Sequence, residues 1–575
     1  MWCKNCNETQ YSDTCEICGG KTQPDTPIEL YWCDSCCSPI IREVSDESPL
    51  ICPVCGNKIE YLAKDLRPVF PEERLLLEVV EGKPFAYKDC SIWAAGGKYY
   101  INGKSSKLSI DKLKYQDAKN IISKLQEFGE SNTYDEFNCH IANFIRCNSD
   151  RLSLIKEEAF AFVKQQILDY PNHKLVISFS GGKDSTVVAD VVTRALSNPS
   201  IVHIFGDTTL EFPSTYSYVA RYRRENPKAI LKTSKNRDQE FYSVCDEIGP
   251  PARMLRWCCT MFKTGPITRV LNSLFRDSKI LTFYGIRKHE SISRSKYDRV
   301  ANGANVKIQK QTVAAPIFYW TDIEVWLYLL GENVDFNDAY RLGYDRVGCW
   351  CCPNNTIRSQ LLAKVYMPEQ SEKWRSYLLD FAKRIGKPDP EVYVDEGKWK
   401  ARQGGNGLSA AESVKIRYTN CTAEDNAKIY KLNKPIDDEF YDMFTPFGKV
   451  SRELGRKLLH EVLVLDLATN VPILSIQPFN QSDYAYAVKI RTMNVADHDA
   501  LQRMASYQVR KHNACRRCLK CESVCPHGAI VINAGHYKID SAKCKRCKKC
   551  VTSKYLDGGC LMDRFLRSKE DNYEG

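Results

Sequence analysis

Twenty-seven of the 575 residues are cysteine, and most stand in Cys-x-x-Cys pairs. Cys3, Cys6, Cys15 and Cys18 read CxxC-x8-CxxC, and Cys33, Cys36, Cys52 and Cys55 read CxxC-x15-CxxC. One such turn aims two thiolates at an ion, and a second pair completes a tetrahedron, so each set is expected to hold a structural zinc ion. Cys37 adjoins Cys36 and could exchange with it. Near the other end, Cys515, Cys518, Cys521 and Cys525-Pro526 are spaced by two, two and three residues. Cys544, Cys547 and Cys550 repeat the first part of that spacing, and Cys560 follows after nine residues rather than three. This is the spacing of four-iron clusters, where the fourth cysteine of a run serves the other cluster. A third kind of chemistry sits mid-chain. The apolar run Lys174–Ser180 leads into Gly181-Gly182-Lys183-Asp184, and STVVADVVTRAL follows from Ser185. A strand, a glycine turn and a helix N-terminus together cradle phosphate, with Lys183 adding a full charge. The string is not the GxxxxGK[ST] nucleotide loop.

The elements that must position these residues can be read from periodicity. Ile201–Phe205 and Lys279–Tyr284 are further strand-like runs, each ending in polar residues: Gly206-Asp207-Thr208-Thr209 after the first, Gly285-Ile286-Arg287 through Arg294 after the second. Thr215–Arg224 is expected to be a helix. An open parallel sheet binds ligands beyond the C-terminal ends of its strands, where all three polar segments would sit. The fold class expected is multidomain, with a central α/β parallel sheet carrying helices on both faces. Residues 1–64 form two metal modules, 65–150 a small α+β module, 151–385 the nucleotide domain, 386–509 an α+β module and 510–575 the cluster domain. Within 65–150, Lys98–Ile101 reads as strand, and Ile110–Phe128 and Phe137–Phe144 as helix. Glu461–Leu467, Ile473–Ile476 and Ala485–Arg491 alternate like strands. Cys90, Cys139 and Cys147 are expected to be buried small side chains.

Composition narrows the class. Hydrophobic residues make up 43% and charged residues 27%, a globular balance that excludes collagen, coiled coil and wholesale disorder. The start Met-Trp-Cys-Lys-Asn-Cys has no apolar signal region, and no run reaches the length of a membrane helix. The cysteine-rich chain is therefore expected in a reducing cytoplasm, without a membrane partner. The net charge is +11, and residues 510–575 hold 15 Lys and Arg against 7 Asp and Glu. A basic tail suits nucleic acid. It equally offsets the negative charge of iron–sulfur clusters.

These motifs resemble known families. Ser180-Gly181-Gly182-Lys183-Asp184-Ser185 matches the PP-loop of ATP pyrophosphatases, and residues 151–385 resemble the phosphoadenosine-phosphosulfate (PAPS) reductase family of that superfamily. Asp207-Thr208-Thr209-Leu-Glu-Phe-Pro-Ser214-Thr-Tyr216 resembles its Asp-Thr…Phe-Pro-Glu-Thr-Tyr segment, with Ser214 in place of Glu. Gly285-Ile-Arg287…Glu290-Ser291…Arg294 resembles its GxRxxES…R segment. Trp320…Asp322…Val325-Trp326, then Gly348-Cys349…Cys352-Pro353, complete the likeness. The resemblance implies an adenine nucleotide at the sheet edge: PAPS, its 3′-unphosphorylated analogue APS, or ATP with Mg. It places that nucleotide on Ser180, Gly181, Gly182, Lys183, Asp184, Ser185, Asp207 and Thr208, with Lys183, Asp184, Arg287 and Arg294 at the reacting groups. It also implies one [4Fe–4S] cluster on Cys258, Cys259, Cys349 and Cys352, with Cys351 competing inside the second pair. Residues 1–64 resemble zinc ribbons, Cys52-Pro-Val-Cys55-Gly56 also resembles a rubredoxin knuckle, and 510–565 resemble a dicluster ferredoxin.

The combination joins a nucleotide-binding sulfur enzyme to its own electron wire. The first expectation is an oxidoreductase that releases sulfite from PAPS or APS, fed by a ferredoxin or another reductase through the two tail clusters. The alternative is ATP-dependent sulfur transfer to nucleic acid, as in tRNA thiolation or DNA phosphorothioation, which the intact PP-loop suits. A non-catalytic nucleotide and redox sensor ranks last. The C-terminal Glu-Cys-Gly-x-His nucleophile of sulfate-assimilation reductases has no counterpart here. Cys351 and Cys245 are the remaining thiol candidates, by position only.

Overall fold

The computed structural model describes the chain except residues 1, 4, 7, 10–13, 21, 23–24, 277, 482–483, 534–535, 557 and 568–575. Its centre is a six-stranded sheet built from β1 (Lys174–Phe179), β2 (Val202–Asp207), β3 (Ile230–Lys235), β4 (Ile280–Tyr284), β5 (Val300–Ala301) and β6 (Gln311–Ala314). The order is β3-β2-β1-β4-β6-β5, parallel throughout except for the short edge strand β5. Val176, Ile177, Phe179, Leu281 and Phe283 are buried in it, as expected of parallel strands covered on both faces. The direction of chain progression reverses between β1 and β4. That is the switch point of a doubly wound sheet, where the loops after the two strands part and leave a crevice.

Four helices bear on this crevice. Helix α1 (Lys183–Ala195) starts directly after the glycine turn, with Gly182 at its N-cap and Asp184 in its first turn. Helix α2 (Pro213–Glu225) begins on a proline, whose fixed φ suits the first turn. Helix α3 (Gly265–Leu274) continues a helical run from Trp257–Cys259 through a π turn at Thr260–Thr264. Helix α4 (Asp322–Gly331) opens on a capping box in which Thr321 and Glu324 satisfy each other's backbone.

The expected boundaries do not separate independent cores. Trp32, Phe70, Trp93 and Phe144 share one buried cluster with Phe179, Leu281 and Trp326. A three-stranded antiparallel sheet (Ile28–Cys33, Ser38–Glu43, Glu60–Ala63) and a four-stranded one that includes Ile92–Ala95 and Lys98–Ile101 therefore lean on the nucleotide domain. Residues 418–492 form a six-stranded antiparallel sheet that includes Val462–Leu465, Pro472–Gln481 and Tyr484–Thr492. The helix His498–Ala514 runs through the 509/510 boundary and delivers the chain to Cys515.

Candidate nucleotide and metal centre

The glycine turn is closed by its own side chains. Ser185 Oγ accepts the Ser180 N–H at 3.1 Å and donates to the Gly182 carbonyl at 2.8 Å. Gly181 has φ +70°, and Asn337 Nδ2 donates to its carbonyl at 3.1 Å. The Lys183 N–H donates to the Tyr340 hydroxyl at 3.0 Å. Gly285 must lack a side chain, because a Cβ there would lie 2.6 Å from the Asp184 carbonyl carbon. That contact brings the end of β4 against the start of α1 and makes the crevice narrow.

The charged residues in the crevice neutralise one another. Lys183 is 4% exposed, and its Nζ lies 3.0 Å from Asp322 Oδ1 and 3.5 Å from Asp184 Oδ2. Arg287, equally buried, donates through Nε to Asp184 and through a terminal nitrogen to Asp322 at 2.9 Å. Burial opposes ionisation of all four groups, and the opposite charges overcome it. Asp184 is held down to about 2 by Arg287 and Lys183, Asp322 is lowered by Lys183 and Arg287, and both cations are raised by the two carboxylates. Lys183, expected to add a full charge to the phosphate cradle, is a buried member of a four-charge network.

Arg294 is half-exposed and ion-paired with Glu290. Burial, followed by the charge of Arg346, lowers its pKa. The charge of Arg346 is near enough to disfavour the Arg294 cation, a cost that an added anion would relieve. Asp207 is buried, its Oδ1 accepting from the Thr209 N–H and the Tyr216 hydroxyl at 2.8 and 2.9 Å. Thr208 Oγ1 donates to Glu211 Oε1 at 2.8 Å and lies 3.3 Å from Cys349 Sγ.

That last contact joins the nucleotide end of the sheet to the central cysteines. Burial raises the Cys349 and Cys352 thiols, and the neighbouring Cys259 charge pushes both the same way. Hydrogen bonding from Cys258 pulls Cys259 down to about 5 against its burial, helped by the charges of Arg256, Lys263 and Lys307. Cys351 turns away into an apolar cluster with Cys245 and Trp257. Burial pushes Cys351 and Cys245 well up, so neither is poised as a thiolate nucleophile.

The two N-terminal sets differ from every other. Their sulfurs all lie within 4.8 Å of one another, and among the described residues no other group of three or more His, Cys, Asp or Glu does so. The nearest separations are 3.5 and 3.7 Å in each set. Zn–S bonds of about 2.3 Å set tetrahedral edges near ~3.8 Å, so both sets fit zinc. Cys37 does not compete. It fills a left-handed backbone position (φ 48°), and its Sγ contacts the Asp34 carbonyl at 3.3 Å. Of the three cysteines expected to be buried small side chains, Cys147 is buried, with its Sγ 4.0 Å from Cys52 Sγ, whereas Cys90 is half-exposed and Cys139, on the outer face of its helix, is exposed.

In the tail the cysteines fall into two groups. Burial raises Cys560, and so do Cys515, Cys518 and Cys521 beside it. Burial raises Cys525, and Cys547 and Cys544 add to it. Cys525, Cys544, Cys547 and Cys550 line one cavity. Lys511, 1% exposed, stands between the two groups. Burial works against its charge, and Cys521, Cys550, Cys560 and Cys515 sustain it. The tail is seated on the nucleotide domain rather than hung from it. Cys518, Cys560 and Met562 share a core with Trp257 and Phe262, and Thr268 Oγ1 donates to Ser523 Oγ at 3.2 Å.

Several of these residues carry little or no signal in the sequence around them. Asp322 was visible only inside its tryptophan-rich segment. Tyr340, Asn337 and Arg346 carry no local signal. Asp65 reaches the crevice from outside the nucleotide domain, accepting the N–H groups of Asp322 and Ile323 at 2.9 and 3.0 Å.

The doubly wound sheet carries the Ser-Gly-Gly-Lys-Asp-Ser turn at its switch point, the place where open α/β sheets bind ligands. Residues 174–355 match the model of the phosphoadenosine phosphosulfate reductase domain. The chain is 30% identical over 294 residues to an uncharacterized protein of Methanocaldococcus jannaschii, covering 51% of this chain and 59% of that one. A second protein of that organism is 28% identical, with 45% and 60% covered. The chain thus spans about 60% of the length of these two relatives. The adenosine 5′-phosphosulfate reductase of Staphylococcus epidermidis is 26% identical, over 40% of this chain and 88% of its own. The crystal structure of PAPS reductase from Candida auris, a phosphate complex, superposes with a TM-score of 0.27 at 17% identity, over 35% of this chain and 96% of that one. None of the described helices is long and apolar enough to cross a membrane.

Proposed function

We propose that this protein reduces an adenosine-linked sulfate, PAPS or APS, to sulfite, using electrons that pass through its own cysteine-bound clusters. The observation that carries the reading is the unbroken run of cysteine sets. The outer tail set adjoins the inner one across Lys511, the inner set shares a core with Trp257 next to Cys258, and Cys349 touches Thr208 at the end of β2. The donor sets fit their groups. Two compact tetrads suit zinc, and three sets without such convergence suit larger clusters that spread their thiolates.

Four-iron clusters, when bound, supply electrons one at a time. The chain's own residues do the rest. The Gly181-Gly182 turn and the α1 N-terminus receive phosphate oxygens. Lys183 and Arg287 hold positive charge in a water-poor crevice, with Asp184 and Asp322 fixing their positions. Arg294 and Arg346 take the sulfate, relieving their mutual repulsion. Two electrons cleave the S–O bond. The sulfur leaves as sulfite and the nucleotide phosphate keeps the bridging oxygen, so no thiol nucleophile is needed. This accords with the burial of Cys245 and Cys351.

A second reading has its own observation. Asp184 and Asp322 flank Lys183 as a carboxylate pair that suits Mg-bound ATP, and adenylation would then precede sulfur transfer to nucleic acid. Single-turnover assays on reduced protein separate the two. Sulfite released from PAPS or APS supports reduction. Pyrophosphate released from ATP, without sulfite from either ester, would replace that reading with the second.

A further inference from the structure

The two tail sets are not equally placed. Cys518, Cys521 and Cys560 of the inner set are buried, whereas Cys547 of the outer set is exposed and Cys525 and Cys544 are half-exposed. Electrons arriving from outside the molecule therefore meet the outer set first. The backbone around Cys547 is also the most cationic stretch of the chain's end. Residues 538–554 carry seven lysine and arginine side chains against one carboxylate, Asp540. Charge compensation accounts for the interior part of this excess. Lys511 sits between the sets at 1% exposure, and Lys520 is buried beside Cys518. It does not account for Lys543 and Lys545, which are exposed and, among the described residues, have no carboxylate within ion-pair distance. Lys549 is engaged with Gln309 at 2.8 Å, Lys548 lies over the Phe447 ring and Lys554 reaches Asn305 at 3.2 Å, so the outward charge beside Cys547 falls to Lys543 and Lys545, with half-exposed Arg546 beside them and exposed Lys538 on the strand Tyr537–Ile539.

We infer that this face is the docking site for a small acidic one-electron carrier protein, which binds over Cys547 against Lys543, Lys545 and Arg546. The inference rests on the reductive reading and names the partner that reading requires. Charge complementarity of this kind speeds encounter and fixes orientation around an exposed redox centre. A nucleic acid fits the face less well. Single strands are held by stacking on exposed aromatic rings, and Val531 is the only large apolar side chain exposed in 515–567 among the described residues.

The test uses the full-length anaerobic protein and the double variant Lys543→Glu/Lys545→Glu, with a purified acidic plant-type ferredoxin as probe. Calorimetric titration should show binding to wild type at low salt that weakens as salt is raised, and a loss of about tenfold or more in the variant. Bleaching of iron–sulfur absorbance by dithionite, which needs no docking, should be the same in both proteins. Unchanged carrier affinity in the variant, or failure of the carrier to bind wild type while a single-stranded oligonucleotide does bind, would overturn the docking site. In either case normal dithionite bleaching would leave the tail clusters standing, whereas no bleaching in wild type would remove the reductive reading itself.

Discussion

The N-terminal and C-terminal cysteine sets use the same Cys-x-x-Cys unit and arrive at different geometries. In three of the four N-terminal knuckles one left-handed residue follows the second cysteine: Gly19 after Cys18, Cys37 after Cys36 and Gly56 after Cys55; the residue after Cys6 lies outside the described residues. The turn then closes and four sulfurs converge. In the tail that left-handed position recurs at Leu519 and Lys548, and a second one precedes the cysteine at Arg517 and Arg546. Four non-glycine residues held there cost about 1–2 kcal/mol each, an outlay that a bound group can offset. Among the described residues the tail sulfurs do not converge within the 4.8 Å that holds each knuckle set together. Spacing states how many thiolates meet, and the backbone between them decides whether they surround one ion or a wider cluster.

Metal analysis is the strongest way to break this comparison. Anaerobically purified protein should carry about two zinc and about twelve iron atoms, four for each of three clusters. Cys518→Ala should cost at least about four irons and no zinc, and Cys36→Ser one zinc and no iron. A wild type holding only about four irons would place the tail with the zinc knuckles.

Lys183→Ala should slow single-turnover sulfite release by about 10²–10³-fold. Because Lys183 is buried between two carboxylates, the same change should lower stability by about 3 kcal/mol in denaturant titration. Lys183→Arg should also fail, since a broad fork does not replace a compact ammonium. Wild-type rates in both variants would remove the PP-loop from the chemistry.

The seat of the tail can be probed at Gly265, where a Cβ would lie 2.4 Å from the Leu519 side chain. Gly265→Val should push on the loop between Cys518 and Cys521 and cost about 1–3 kcal/mol, with iron lost before zinc on warming. An unaltered melting profile would show that the contact is not tight.

The smallest expected effect belongs to Asp65. Burial, then the neighbouring Asp322, raises its carboxyl to about 6 against an ordinary value of 3.8. A carboxyl raised in the fold binds its proton more tightly there than in the unfolded chain. Its contribution is present below about pH 4 and is lost as pH rises through about 6. Asp65→Asn should flatten that part of the stability–pH curve by about 2 kcal/mol. It should also loosen the α4 N-terminus, because a neutral amide accepts the Asp322 and Ile323 N–H groups more weakly. Parallel curves for the two proteins would deny Asp65 this role.

The local devices can be read from neighbouring residues alone. The Ser180–Ser185 turn, the α/β alternation around it and the crossed cysteine spacings in the tail are legible because each lies within a few residues, or repeats at a fixed interval. The strands near 462, 473 and 485 were legible for the same reason, since alternation is a property of neighbours. Only the tertiary structure decided how the devices meet. Lys183 and Arg287 looked like free cations until Asp322, more than thirty residues beyond Arg287, closed the network. Asp65 entered from another module, and Cys147 came to rest beside Cys52 across 95 residues. The tail, which looked separable, shares buried side chains with the nucleotide domain. The physical reason is common to all four. Burial sets the strength of a charge or a contact, and burial depends on which distant segments pack together, which no local pattern records.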